Sequence, residues 1–220
     1  MSIVFPPSHC PHCGHSIAWY DNIPLISYIV LRGRCRHCGA KISIRYPIVE
    51  LLSGLLFLFS YLAFGISTLT LRAIVAGWLS LGISWIDWEH GLVPDSLTLS
   101  GTLIGLAIGL LDGIDGARLS VVGLSIGLAF GLTLRLLGWL ITRREAFGEG
   151  DITYLTMLGS LMGPFVPIAG LFLGSILGLL WVGIYFIVRK EVLRAVKFCP
   201  FIALGALVFV VASRLAGIPF

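Results

Sequence analysis

The chain has 220 residues, of which 57% are hydrophobic and 12% charged, and its mean hydropathy is +0.99. A soluble globular domain carries roughly 25% charged residues, so this composition excludes a purely soluble protein and indicates an integral membrane protein. The net charge of +4 is expected to set membrane topology or meet lipid headgroups. Nucleic acid is not an expected partner, because no basic stripe is interleaved with exposed aromatic residues.

Residues 1–46 hold most of the polar character and predict a small soluble domain. They contain two C-x-x-C pairs, Cys10 with Cys13 and Cys35 with Cys38, separated by 21 residues. This spacing predicts a four-thiolate zinc site, and a filled sulfur shell makes the zinc structural rather than hydrolytic. The alternative is a pair of disulfides, which a reducing cytoplasm disfavours.

Residues 47–220 predict a membrane domain, because apolar runs follow one another and a run of roughly 20 residues crosses the hydrocarbon core. Backbone groups in lipid must pair internally, so the runs are expected to be helices. The fold class is therefore an all-α polytopic membrane protein. Seven helices are predicted, at 47–65, 69–88, 96–112, 118–141, 152–163, 165–188 and 199–217.

The distribution of Lys and Arg between the loops predicts the orientation. Eleven basic residues fall on the side of the N-terminal domain, and only Arg72, Arg118 and Arg214 fall on the other side. By the positive-inside rule, the N-terminal domain faces the cytoplasm. The eleven are Arg32, Arg34, Arg36, Lys41, Arg45, Arg143, Arg144, Arg189, Lys190, Arg194 and Lys197.

Two carboxylates lie at ends of apolar runs on that cytoplasmic side. Asp87 is one helical turn inside the end of its run, between Trp85 and Trp88, and ionisable groups in such places tend to face water, a partner or a substrate. A snorkelling interfacial acid is the alternative. Of its acidic neighbours, Glu89 is expected to be solvated and Asp95 to be the N-cap of the next helix.

Asp151 is the second carboxylate and follows Gly148 and Gly150. It could simply cap the helix that it precedes. The two glycines, however, allow unusual backbone conformations and the close approach of another chain, as an extended peptide substrate requires. Two neighbouring carboxylates cannot both ionise easily, so one holds a proton while the other acts as a base. An aspartic peptidase uses such a pair of carboxylates as its acid and base, and it needs neither a metal nor a covalent intermediate.

These residues resemble the type IV prepilin peptidase family of G-x-G-D membrane peptidases over nearly the whole chain. The resemblance rests on motifs that occur in the family's order. They are the two cysteine pairs, the stretches 19–25, 31–35 and 45–50, Ile86-Asp87 through Pro94-Asp95, Gly148-x-Gly150-Asp151, and Phe198-Cys199-Pro200-Phe201 with 203–205.

The resemblance implies that Asp87 and Asp151 are the catalytic aspartates, with Gly148, Gly150, Asp95 and Glu50 in support. It implies that the substrate is a type IV prepilin or a type II secretion pseudopilin, whose basic leader is removed at the cytoplasmic face of the bacterial inner membrane. Family members also methylate the new N-terminus with S-adenosylmethionine. Glu50, near the start of the first membrane helix, has an alternative role in simple favourable placement at a helix N-terminus.

The sequence departs from the family's usual pattern in three places. It starts just before the first cysteine pair, so seven rather than eight spans are expected. Thr153 stands where many members have lysine. Cys199 stands where many have glycine, and it is interpreted as a small residue in a tight turn rather than as a nucleophile.

Three other functions stay open from the residues alone. A related G-x-G-D peptidase of the preflagellin or signal-peptide type would use the same chemistry. A transporter would use Asp87 and Asp151 as a proton relay, although no inverted repeat is visible. A noncatalytic assembly scaffold could be held by the zinc domain. The sequence predicts no oligomeric state.

Overall fold

The computed structural model describes residues 8–143, 147–191 and 196–217. Two compact units divide the chain after Leu58. The first contains a 3-10 helix, Trp19–Asn22, and helix α1, Ile26–Val30, and helix α2, Arg45–Phe64, crosses the division. The second contains α3 Thr68–His90, α4 Asp95–Leu111, α5 Gly113–Thr142, α6 Glu149–Met162, α7 Phe165–Arg189 and α8 Cys199–Leu215.

The all-α fold class is confirmed, because helices with two isolated β-bridges account for the regular structure of the described residues. Helices α2 to α8 correspond one by one to the seven predicted runs. The largest difference is at α5, which begins at Gly113 rather than at 118. Its first turn contains Asp115, which interrupts the apolar run but not the helix. The predicted domain boundary after residue 46 stays a prediction.

Four helices in the described ranges are long and apolar enough to cross a membrane: α2, α3, α5 and α7. Helices α4 and α8 are apolar but have 17 residues each. Helix α6 has only 14 residues, which gives a length of about 21 Å at 1.5 Å per residue. That is shorter than a hydrocarbon core of about 30 Å, so α6 cannot span it fully by itself.

Helix α6 is the centre of the second unit. It packs against α3, α4, α5 and α7, and nine of its fourteen residues are buried. A helix that is apolar all round is stable only inside a protein or a membrane. The enclosing helices therefore explain how so short a helix can lie at membrane depth.

Glycines on α4 and α5 let the neighbouring helices approach α6 closely. Gly123, Gly127 and Gly131 recur every fourth residue of α5, and a Cβ on any of them would meet the backbone or side chains of α6. The tightest place is Gly123 against Gly159, where that Cβ would lie 2.0 Å from a carbonyl oxygen. Small residues at this spacing are how membrane helices gain packing contacts without a hydrophobic driving force.

A buried arginine joins three helices and the α4–α5 connection at the end of the unit opposite Asp87. Arg72 of α3 is 1% exposed. Its guanidinium donates to Ser120 Oγ at 2.9 Å and to two backbone carbonyls on α5 and α6, and it lies 3.4 Å from the Asp112 carboxylate. Arg72 belongs to the predicted helix 69–88, but its inclusion in the count of loop charges was wrong, because its side chain is buried inside the bundle.

Candidate active site and metal centre

Asp87 lies in the last turn of α3, which ends at His90. Gly91 caps this end with a left-handed backbone (φ 66°), and its N–H donates to the Asp87 carbonyl at 2.8 Å. This conformation costs glycine little. The Asp87 side chain is 7% exposed, so it points into the bundle. The alternative of a snorkelling interfacial acid is therefore wrong for the described structure.

Asp151 lies in the first turn of α6, which starts at Glu149 after the N-cap Gly148. No side-chain cap bond is made at the N-cap. The carboxylate is half-buried, and its position in the first turn is electrostatically favourable because helix N-termini carry partial positive charge.

Cys199 connects the two aspartates. Its backbone N–H donates to Asp87 Oδ2 at 3.1 Å, and its thiol donates to Asp151 Oδ1 at 3.4 Å. Only Cα and Cβ separate the nitrogen from the sulfur, so the two carboxylates contact the same residue although they come from α3 and α6. The structure thus brings together the two residues that the sequence singled out.

The backbone conformations of Gly148 and Gly150, the glycines before Asp151, differ from the prediction. Gly148 has φ −70° and ψ 150°, which any residue adopts, and Gly150 is helical, so the prediction of unusual backbone conformations was wrong. Close approach is required at Gly150, where a Cβ would lie 2.5 Å from Val93 Cβ. The neighbour is therefore the chain's own connection between α3 and α4.

Asp95 and Glu50 were the other predicted supporting residues. Asp95 is exposed and is the first residue of α4, whose N-cap is Pro94 without a side-chain bond, so the prediction that Asp95 is the N-cap was wrong by one residue. Within the first unit, the Glu50 carboxylate accepts the N–H of Leu25 at 2.9 Å. Leu25 has φ 61°, and the N–H after it donates to Pro24 at 2.6 Å. The Glu50 carboxylate thus stabilises a strained γ-turn centred on Leu25.

Each C-x-x-C pair forms a tight turn, here called a knuckle, and the four cysteines of the two knuckles converge in the first unit. Their sulfur atoms all lie within 4.8 Å of one another, and Cys10 Sγ is 3.8 Å from Cys38 Sγ. A tetrahedral zinc site with Zn–S bonds of about 2.3 Å has sulfur–sulfur distances of about 3.8 Å. All four cysteines are free thiols, so the alternative of two disulfides is wrong for this structure, and the cluster could hold a metal ion.

The two knuckles have the same backbone hydrogen bonds. In the first, Cys10 N–H donates to His15 and Gly14 N–H donates to Cys10; the second repeats this pattern from Cys35. Gly14 and Gly39 both have φ near 68°, at +67° and +69°, which favours glycine. The N–H groups of Cys13 and His12 lower the pKa of the Cys10 thiol to about 6.

A bidentate ion pair fixes the second knuckle to the segment before α1. Arg36 donates to both oxygens of Asp21, at 2.8 and 2.6 Å. These hydrogen bonds hold the pKa of the Asp21 carboxyl below its usual range. Paired geometry of this kind is more specific than a single lysine contact.

The described part of the chain is thus a multi-pass helical membrane protein in which two aspartates from separate helices meet at one buried residue. This is the arrangement of an intramembrane aspartic peptidase.

Comparison with known families agrees with this class. The family described as "Type IV leader peptidase family" matches residues 73–184, and "Bacterial Peptidase A24 N-terminal domain" matches residues 1–64. The chain belongs to the type IV leader peptidase family, and the recognition made from the sequence is confirmed.

Named relatives give the same result. The chain is 43% identical to the prepilin leader peptidase/N-methyltransferase of Myxococcus xanthus, over 74% of this chain and 48% of that protein. It is 36% identical to a protein of the same name from Burkholderia pseudomallei, over 100% of this chain and 70% of that protein. It is 38% identical to the type 4 prepilin-like proteins leader peptide-processing enzyme of Escherichia coli, over 94% of this chain and 76% of that protein. No solved structure matches the chain.

The chain therefore spans about half the length of the M. xanthus relative and about 70% of the B. pseudomallei one. The apolar helices and these relatives together identify a multi-pass inner-membrane protein.

Sequence reasoning missed the role of Cys199, which is the first residue of α8 and fully buried. The signal available was its place in the motif Phe198-Cys199-Pro200-Phe201. The motif could not show which helix end it would meet, because that contact joins residues 112 positions apart.

Proposed function

We propose that this protein removes the basic leader from type IV prepilins or type II secretion pseudopilins, with Asp87 and Asp151 as its catalytic pair. The observation that carries the proposal is the convergence of these two carboxylates on Cys199. Family membership supplies the substrate class, since the relatives are named for prepilin leader processing.

The chemistry follows from two carboxylates that share one proton. The ionised member takes a proton from a water molecule, and the resulting nucleophile attacks the scissile carbonyl carbon. The protonated member donates to the carbonyl oxygen and stabilises the charge that develops there. When the tetrahedral intermediate breaks down, the first carboxylic acid returns its proton to the leaving amine. The two aspartates titrate as one system, so neither role is assigned to one residue.

The position of the pair supports cleavage at a membrane face. Asp87 lies near the C-terminal end of α3 and Asp151 near the N-terminal end of the short helix α6. Both are therefore at the same end of the bundle. A substrate whose basic leader is polar and whose following segment is apolar can place its cleavage point there while the apolar segment stays in lipid.

The proposed cytoplasmic orientation rests on the distribution of Lys and Arg. With Arg72 buried inside the bundle, the side opposite the active site keeps only Arg118 and Arg214 of the three basic residues first counted there. Arg144 and Arg194, on the other side, lie outside the described residues. The asymmetry that supports a cytoplasmic position for the N-terminal domain and the active site is therefore greater than in the first count.

We propose that Cys10, Cys13, Cys35 and Cys38 hold one structural zinc ion. The fit between the 3.8 Å sulfur separation and a tetrahedral thiolate site supports this metal. Four sulfur ligands leave no site for a substrate, so the zinc would hold the two knuckles together and supply no step of the peptide cleavage. Methylation of the new N-terminus from S-adenosylmethionine is proposed from the relatives' names alone.

The proposal is tested with purified protein in detergent and a prepilin whose leader is basic. The parent is expected to release the leader, whereas Asp87→Asn and Asp151→Asn should each lose at least about a thousandfold in rate, since each removes one half of the acid–base pair. Asp115→Asn is the control, because Asp115 is an exposed aspartate in the first turn of α5 and is no part of the proposed site. It should cleave at the parent's rate.

The other functions predict different results. A transporter or a scaffold would leave the prepilin intact in every variant. A peptidase of the preflagellin type would cleave a preflagellin but leave the prepilin intact. Parental activity in Asp87→Asn or Asp151→Asn would refute the assignment of the pair.

A further inference from the structure

Cys199 contacts both members of the aspartate pair through different groups. Its N–H donates to Asp87 at 3.1 Å and its thiol to Asp151 at 3.4 Å. Its side chain is 0% exposed, so bulk water does not compete for the thiol. A residue that merely filled a turn would need neither contact.

The N–H reaches Asp87 because of how α8 begins. The first amides of a helix have no partner within the helix. Pro200 has no N–H, and the amides of Phe201 and Ile202 donate to the Phe198 carbonyl, both at 3.1 Å. The Cys199 amide is thus free to point outward, and the positive end of α8 faces an acid.

A second contact holds the start of α8 against the end of α3. Lys197 Nζ donates to the Trp88 carbonyl at 2.7 Å, one residue beyond Asp87. This bond and the Cys199–Asp87 bond join the same two segments, so the amide is fixed in place. The thiol then reaches across to α6, the helix that carries Asp151.

We propose that Cys199 is a positioning residue that orients both catalytic carboxylates, with its amide aligning Asp87 and its thiol aligning Asp151. The proposal rests on the function proposed above for these aspartates. The thiol acts as a hydrogen-bond donor and forms no covalent bond with the substrate. Because a thiol is a weak donor, substrate can displace it from Asp151 during the reaction at little cost.

Kinetics of three variants test the role in cleavage. Cys199→Ala keeps the backbone amide but removes the donor to Asp151. It should lower kcat about tenfold, or about 1.4 kcal/mol, while KM stays within about twofold, because the lost contact is to an enzyme carboxylate rather than to substrate. Cys199→Ser restores a small donor and should recover most of the kcat. Ser213→Ala, which alters another buried polar residue of α8, should leave kcat unchanged.

An infrared measurement tests the contact without any cleavage. The difference spectrum of parent minus Cys199→Ser isolates the S–H stretching band of this thiol. Donation to a carboxylate lowers the band's frequency, so Asp151→Asn should raise it, whereas Asp95→Asn should leave it unchanged. Failure of the proposed function would leave the prepilin uncut by the parent with this infrared shift still present.

Any of three results would overturn the positioning role. One is a parent that cleaves the prepilin while Cys199→Ala keeps the parent's kcat. Another is an S–H band that does not respond to Asp151→Asn. Loss of activity in both Cys199→Ala and Cys199→Ser would also overturn it, because the conservative hydroxyl donor would then give no rescue.

Discussion

The contact between Gly123 of α5 and Gly159 of α6 should control both stability and catalysis. A Cβ at position 123 would lie 2.0 Å from the Gly159 carbonyl oxygen and 2.7 Å from its carbonyl carbon, whereas ordinary contact begins at 3.4 Å. Backbone atoms cannot rotate away as a flexible side chain can. Gly123→Ala must therefore push α5 and α6 apart by more than 1 Å at this point.

Two opposing effects decide the magnitude. Alanine improves helix propensity by about 1 kcal/mol over glycine, whereas overpacking a tight interior costs about 1–3 kcal/mol. Since the clash is with backbone, we expect the upper part of that range to apply. The free energy of unfolding should fall by about 1–2 kcal/mol in Gly123→Ala, after the gain in propensity. Gly82→Ala is the matched control, because Gly82 is also helical and has no atom within 4 Å of its Cβ position.

The assays are unfolding by sodium dodecyl sulfate in mixed micelles and the rate of prepilin cleavage. Gly82→Ala should be as stable as the parent or up to about 1 kcal/mol more stable. Displacement of α6 moves Asp151 relative to Asp87, and a shift of about 1 Å in a catalytic group can lower the rate about a hundredfold. If Gly123→Ala unfolds and cleaves like Gly82→Ala, then close α5–α6 packing does not position the active site, and the reasoning is refuted.

Three further results are expected. Arg72→Leu leaves buried partners unpaired and should lower the free energy of unfolding by about 3 kcal/mol. Arg118→Leu is the control, because it removes only an exposed ion pair and should change this free energy by less than about 0.5 kcal/mol. Equal effects of the two substitutions in the same micelle titration would contradict the stabilising role of Arg72. The parent should contain about one zinc ion per chain by plasma mass spectrometry. Cys10→Ser should lose this zinc, whereas Cys199→Ser should keep it. A parent that is folded but free of metal would contradict the proposed zinc site. Asp21→Asn should speed hydrogen exchange in residues 19–30 at pH 7. Because the pKa of Asp21 is lowered in the folded protein, its stabilisation is present above the unfolded value of about 3.9 and is lost as the pH falls through the folded value. The variant and parent should therefore converge in acid, and a difference that persists there would contradict the ion pair.

Much of the fold follows from the sequence because apolar length is a local property. Each of the seven predicted runs is a helix, and most ends agree within two or three residues. The start of α5 was missed because a charged residue such as Asp115 interrupts a hydrophobic run without ending a helix. The one-residue error at Asp95 has a similar origin, since an acid suits both an N-cap and the first turn.

The site was predictable only in part, for a physical reason. Asp87 and Asp151 could be singled out because charge beside an apolar run is costly. Their convergence depends on tertiary packing, and so does the contact of Cys199 with both. The same limit applies to Arg72, which was counted with the loop charges and which the structure buries at 1% exposure. A pattern of charges cannot distinguish a loop cation from an internal one.

The packing of α6 explains how an acid can be kept at this depth. A lone helix of 14 residues would expose its polar ends to hydrocarbon, but α6 is enclosed by four neighbouring helices. Its start, with Asp151, touches Val93 of the α3–α4 connection through Gly150 and the start of α8 through Cys199. Both contacts lead back to the end of α3, where Asp87 lies. The two carboxylates are therefore held by connected backbone segments on either side, as the proposed proton-sharing pair requires.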